Sequence, residues 1–164
     1  MAAIISIVGR TNVGKTTYLE KLIGEVKRRG WRVGVVKHDV HGFEIDHPGK
    51  DTWRHAQAGA DIVCISGPAR VALIRKLDRE LSLEEVVAQF PELDLVLTEG
   101  YKREGRLRVE VYRRAVAAEP LCQPEDVIAF VSDVLPYEGV PTFGLDDPAA
   151  FAEFLDRRFG IGVR

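Results

Sequence analysis

Gly9-Arg10-Thr11-Asn12-Val13-Gly14-Lys15-Thr16 decides the reading of this chain: it fits G-x-x-x-x-G-K-[ST] at every required position and lies between two different hydrophobic periods. Before it, residues 2–8 form a β-branched apolar run that reads as a buried strand. After it, Tyr18, Leu19, Leu22, Ile23 and Val26 recur at helical spacing until Gly30, a residue suited to the position just past a helix end. Strand, glycine turn and helix together predict a loop whose backbone N–H groups surround a polyphosphate at the positive end of a helix. Gly9 and Gly14 permit the turn, and Lys15 is expected to reach the β and γ phosphates. Thr16 is expected to ligate Mg²⁺ through its hydroxyl, with Thr17 donating to the α phosphate. A turn that only joined a strand to a helix would not require a lysine followed by a hydroxyl.

Outward from this loop, residues 31–37 hold Val33, Val35 and Val36 in a second apolar run, joined to the first by the helix and so expected to run parallel to it. Residues 39–50 have no useful periodicity and read as a long functional loop. A short helix is expected over 51–58, and strands over 61–66 and 70–74 on either side of Gly67-Pro68. Ser82 and Glu85 have capping-box spacing for a helix over 82–90. Residues 93–98 form an apolar run that stops at Glu99-Gly100, and 106–112 alternate as an edge strand would. Strands follow at 127–131 and 140–143, then a helix with Pro148 in its first turn and Phe151, Phe154, Leu155 and Phe159 on one face. This order predicts an α/β fold of the P-loop nucleoside-triphosphatase class: a mostly parallel sheet flanked by helices, with an edge-strand extension. The 164 residues fit one nucleotide-binding domain over 1–164.

Composition narrows the partners. The net charge is −2, with no Lys/Arg run of the kind that tracks a phosphodiester backbone, so nucleic acid is not expected as a main partner. The first residues lack both the basic lead of a secretion signal and an apolar stretch long enough for a membrane anchor, and the chain reads as cytoplasmic. Its two cysteines, Cys64 and Cys122, read as structural thiols.

A phosphate loop needs a second acid for the metal, normally at the carboxyl end of an apolar strand. Glu99 has that place, whereas Asp94 stands at the strand's entrance, on the wrong edge of a parallel sheet. Lys15 and Glu99 are therefore the expected catalytic residues, and Thr16 and Glu99 the expected metal ligands. Lys37, His38, Asp39 and His41 follow the second strand at the same carboxyl edge, and Asp39 is a further candidate for the Mg²⁺ shell. His38 and His41, with His47 and His55 nearby, have a spacing that suits a transition metal, or they are solvated loop histidines. Lys50 and Asp51 either close over the nucleotide or begin a helix. Ser132-Asp133 ends a late strand where an aspartate could read guanine, with a simple turn carboxylate as the alternative.

These residues resemble the molybdopterin-guanine dinucleotide biosynthesis protein B (MobB) family of adaptor GTPases. The resemblance covers most of the chain. It rests on the loop at 9–17, "GWRVGVVKH" at 30–38, "DHPGKDTWRHAQAGA" at 46–60, "LDLVLTEGYK" at 93–102, and "FVSD" and "DD" near the end. It implies binding of GTP with Mg²⁺, slow hydrolysis at most, and a homodimer whose strands extend across its interface. It also implies assistance to a separate MobA-type guanylyltransferase that joins GMP to molybdopterin, with a molybdopterin intermediate as a possible ligand. By position it makes Lys15 and Thr16 the phosphate and metal residues and Glu99 the second acid. His38, Asp46, Lys50, Asp51 and Lys102 fall in loops facing the nucleotide or the partner. Arg10 stands where related dimeric ATPases carry a lysine, a departure that favours a binder or slow hydrolase.

Two other readings use the same loop. A small-molecule kinase would clamp phosphates with a lid, for which Arg103, Arg106, Arg108, Arg113 and Arg114 are the available arginines. A metallochaperone GTPase would use the histidines, of which there are four, without any Cys-Pro-Cys or histidine run.

Overall fold

The computed structural model describes residues 2–101 and 107–161. It divides into two compact units, one built from residues 1–38 and 85–164 and the other from 39–84.

The larger unit is a six-stranded sheet. Strand β1 (Ala3–Val8) leads through the glycine loop into helix α1 (Lys15–Arg28), and β2 (Val33–Lys37) follows. After the second unit come β5 (Leu95–Glu99), β6 (Arg108–Tyr112), β7 (Ala129–Ser132), the two-residue β8 (Thr142–Phe143) and helix α4 (Pro148–Phe159). The order across the sheet is β2-β5-β1-β6-β7-β8, and every pairing is parallel. Thus β2 runs parallel to β1 as expected, but β5 lies between them and pairs with both. Parallel strands covered on both faces read as continuous apolar runs. Accordingly Leu95, Val96 and Leu97 are all fully buried, and Thr98 beside them bonds Ser6 Oγ at 3.0 Å.

Helices α1 and α4 pack against one another, and Tyr18, Leu22, Val26, Phe151 and Leu155 share the core with Ile5, Leu97, Val109 and Val131. The start of α4 is set by Asp147, whose carboxylate accepts from Ala150 N at 3.0 Å, and by Pro148. Gly160, at φ 62°, closes the other end.

The edge-strand expectation fails. Residues 108–112 are not an edge strand: β6 lies in the interior, between β1 and β7. The alternation that suggested a solvated face comes from Glu110, which is only 1% exposed. Its carboxylate oxygens accept from Leu121 N and Cys122 N, both at 2.7 Å, so the charge is met by backbone donors instead of water.

The smaller unit holds α2 (Asp51–Gln57) and an antiparallel hairpin of β3 (Ile62–Ser66) and β4 (Val71–Arg75). Gly67 N bonds Arg70 O at 3.0 Å to close the hairpin around Pro68. A two-stranded ribbon has no second layer of its own, and Ile62, Ile65, Val71 and Leu73 are all more than half exposed. Residues 39–50 form no helix or strand, as their composition predicts. The expected helix at 82–90 is shorter, with α3 limited to Leu83–Val87. Among the described residues no helix is long and apolar enough to cross a membrane.

Candidate functional site

The glycine loop leaves the carboxyl end of β1 and enters α1 without a side-chain cap. Its path needs left-handed residues at several points. Gly9 has φ 143°, Asn12 φ 62° and Gly14 φ 101°. Glycine takes such angles at no steric cost, and asparagine is among the few other residues that tolerate them. Gly9 has a second constraint, because a Cβ there would sit 2.5 Å from the Val111 carbonyl oxygen of β6.

The hydrogen bonding of the loop is strongly one-sided. Its carbonyls are engaged: Lys15 Nζ donates to Gly9 O at 3.2 Å and to Arg10 O at 2.9 Å. Arg113 Nε donates to Val13 O at 3.0 Å, and Tyr18 N to Gly14 O at 2.9 Å. Among the described residues, no backbone N–H from 11 to 14 donates a hydrogen bond within the chain. A run of open N–H donors beside a helix N-terminus and an ammonium is the polarity an anion requires.

Across the adjoining strand end, Glu99 closes the same side. Thr16 Oγ1 lies 3.3 Å from Glu99 Oε1 and 3.5 Å from Oε2, so a hydroxyl and a carboxylate separated by 83 residues meet. Glu99 O accepts from His38 N at 2.8 Å, and Gly100, at φ 97°, lets the His38 carbonyl come within 2.5 Å of where a Cβ would stand. The His38 ring stacks on buried Tyr101 with centroids 4.6 Å apart. Asp94 is at the opposite edge, where its carboxylate holds Arg32 N at 2.6 Å.

The chain's sequence and fold both match known proteins. A sequence model described as "Molybdopterin guanine dinucleotide synthesis protein B", MobB, matches residues 4–133. The chain belongs to the MobB family. The molybdopterin-guanine dinucleotide biosynthesis adapter protein of Haemophilus influenzae is 35% identical over 137 residues, 82% of this chain and 76% of that protein. The adapter protein of Escherichia coli is 32% identical over 161 residues, 94% and 92% of the two chains. Among solved structures, Bacillus subtilis MobB superimposes with a TM-score of 0.74 at 28% identity, covering 94% of this chain and 97% of that one.

The remaining candidates of this MobB chain are placed differently. Asp133, at the end of β7, is exposed, and its Oδ1 accepts from Arg114 N at 3.1 Å, tying the turn after β6 to that after β7. In the smaller unit, Asp39 Oδ1 accepts from His41 N at 2.9 Å and Asp46 Oδ1 from His47 N at 2.8 Å, so both carboxylates hold local turns. Asp51 begins α2, and Lys50 precedes it at the N-cap position without a side-chain cap bond. His55 lies on α2. Among the described residues no three His, Cys, Asp or Glu side chains converge as metal ligands. Of the lid arginines, Arg108 starts the interior strand β6, Arg114 donates to Ala118 O at 2.9 Å, and Arg113, just after β6, reaches the glycine loop at Val13 O. Lys102, Arg103 and Arg106 lie outside the described residues. Arg113 is the site residue whose location the sequence did not disclose: a basic residue after an apolar strand carries no mark of what it reaches.

Proposed function

We propose that this chain is a GTP-binding adapter in the making of molybdopterin guanine dinucleotide, assisting a MobA-type guanylyltransferase and hydrolysing GTP slowly at most. The observation that carries the nucleotide reading is the one-sided loop, with carbonyls engaged by Lys15, Arg113 and Tyr18 and the N–H groups of 11–14 open. Gly9, Arg10, Thr11, Asn12, Val13 and Gly14 supply the backbone that cradles the phosphates. Lys15 adds charge and, with Thr17, completes the cradle at the start of α1.

Mg²⁺ fits the facing pair. The 3.3 Å between Thr16 Oγ1 and Glu99 Oε1 is close to the roughly 3 Å that separates neighbouring oxygens around an octahedral Mg²⁺ with bonds of about 2.1 Å. Thr16 and Glu99 would hold the ion or its waters, and the ion would offset charge on the β and γ phosphates. Membership of the MobB family and the adapter relatives support the pathway. The exposed Ile62, Val71 and Leu73, which the register places on one face of the hairpin, support a homodimer in which a second copy covers them. Asp39 as a metal-shell residue and Asp133 as the guanine reader belong to the same proposal, as does a cytoplasmic setting.

The test is equilibrium binding of GTP and ATP analogues with Mg²⁺ to the native protein, Lys15→Ala and Asp133→Ala. GTP is expected to bind at least about tenfold more tightly than ATP, roughly 1.4 kcal/mol. Lys15→Ala should lose both nucleotides, and Asp133→Ala should narrow the ratio. Equal or tighter ATP binding would remove the guanine assignment and bring the kinase reading forward.

A further inference from the structure

We infer that Arg113 is the positioning residue of the phosphate loop, orienting the Val13–Gly14 peptide so that the Gly14 N–H is presented to the nucleotide. This rests on the nucleotide-binding reading above and adds to it a device from outside the sequence motif.

The geometry comes from two strands. Val8 of β1 and Glu110 of β6 are register partners, so the chain beyond β6 emerges beside the loop that leaves β1. The contact is tight, since the Val111 carbonyl lies where a Cβ on Gly9 would be, 2.5 Å away. Two residues further, Arg113 Nε donates to Val13 O at 3.0 Å, and its Nη2 is 3.5 Å from the Cβ position of Gly14. In a trans peptide the C=O and N–H point in opposite directions, and no cis peptide occurs among the described residues. Holding the Val13 carbonyl toward β6 therefore turns the Gly14 N–H the other way. Gly14 holds that plane poorly unaided, because a glycine, here at φ 101°, has a wider choice of backbone angles than any residue with a Cβ. Val13 is itself anchored, 2% exposed in the core, so the bond fixes a plane already held at one end.

Arginine suits the task. Nε donates in the plane of the guanidinium, and the rest of that plane lies along residues 13–14 as a fixed positive charge. The hydrogen bond and charge of Lys21 hold the exposed Asp146 carboxyl below the usual carboxylate range, and the Arg113 charge adds the smallest part. The turn that carries Arg113 is pinned on its far side: buried Glu110 holds Leu121 N and Cys122 N, and Tyr112 Oη donates to Ala117 O at 3.1 Å.

The test compares Arg113→Gln and Arg113→Lys with the native protein and Lys15→Ala, reading Mg²⁺-GTP and Mg²⁺-ATP binding and the backbone amide resonance of Gly14 without nucleotide. Arg113→Gln is expected to weaken both nucleotides by the same factor, about tenfold, with the GTP-to-ATP ratio unchanged. Arg113→Lys keeps the charge but not the planar donor, and should recover only part of the loss. In both variants the Gly14 amide should shift in the free protein while Tm moves little. A variant that binds like the native protein, or an altered GTP-to-ATP ratio, overturns the proposal. If Arg113→Gln does not fold, an unshifted Gly14 amide in Arg113→Lys overturns it equally. If Lys15→Ala binds as well as the native protein, the nucleotide reading itself fails, which is a separate result.

Discussion

Replacing Gly9 by alanine should cost far more than replacing Gly30, although both glycines have positive φ. Gly30, at φ 81°, has open space where a Cβ would go, so Gly30→Ala costs only the left-handed backbone, about 1–2 kcal/mol. Gly9, at φ 143°, incurs a comparable or larger backbone term, roughly 1–3 kcal/mol. Its added methyl would also stand 2.5 Å from Val111 O and 3.2 Å from Val13 Cγ1. Val111 is fully buried in an interior strand, so its carbonyl cannot retreat without moving β6 against β7. Overpacking of this kind costs roughly another 1–3 kcal/mol. The sum is about 2–6 kcal/mol, against 1–2 for Gly30→Ala. At roughly 2–4 °C per kcal/mol for a chain of this size, Gly9→Ala should lower Tm by about 4–24 °C and Gly30→Ala by about 2–8 °C. Thermal unfolding of both variants, with urea unfolding to separate stability from m-value, gives the comparison. A Gly9→Ala variant no less stable than Gly30→Ala would refute the close approach of β6 to the loop.

Three further outcomes follow from Glu110 and the turn beyond β6. Glu110→Gln keeps the shape but sets an amide NH₂ against one of the two backbone donors, so it should destabilise by about 2–3 kcal/mol and speed hydrogen exchange at Leu121 and Cys122; unchanged exchange at both amides would count against the buried carboxylate clamp. Burial, with Glu110 close by, pushes the Cys122 thiol up to about 12, whereas Cys64 is exposed. A neutral thiol is a poor nucleophile, so the native protein should react with a disulfide reagent at Cys64 and resist at Cys122, with both reacting after unfolding. The unfolded thiol loses its proton near pH 9 while the folded one keeps it, so folding stability should fall as pH rises from about 9 towards 12. Cys122→Ser should remove that part of the fall.

Much of the site was legible because its signals are local. A strand period, two glycines, Lys15-Thr16 and a helical period are read within residues 2–28, and together they fix where the glycine loop begins and ends. Glu99 was legible too, since the end of an apolar run marks the carboxyl edge of a parallel strand. The edge assignment of 106–112 failed for a physical reason: alternation of charged and apolar residues looks the same whether the charged side chain meets water or, like Glu110, two backbone N–H groups.

By itself the sequence determined the α/β class, the glycine loop at residues 9–16 and the helix that backs it, since these depend on backbone freedom and on periods of a few residues. Tertiary structure decided the rest. It placed β5 between β1 and β2, which brings Glu99 to Thr16. It put β6 beside β1, which brings Val111 to Gly9 and Arg113 to Val13. Those meetings join residues far apart in the chain, and the order of strands that creates them is set by packing across the whole sheet, which no single segment encodes.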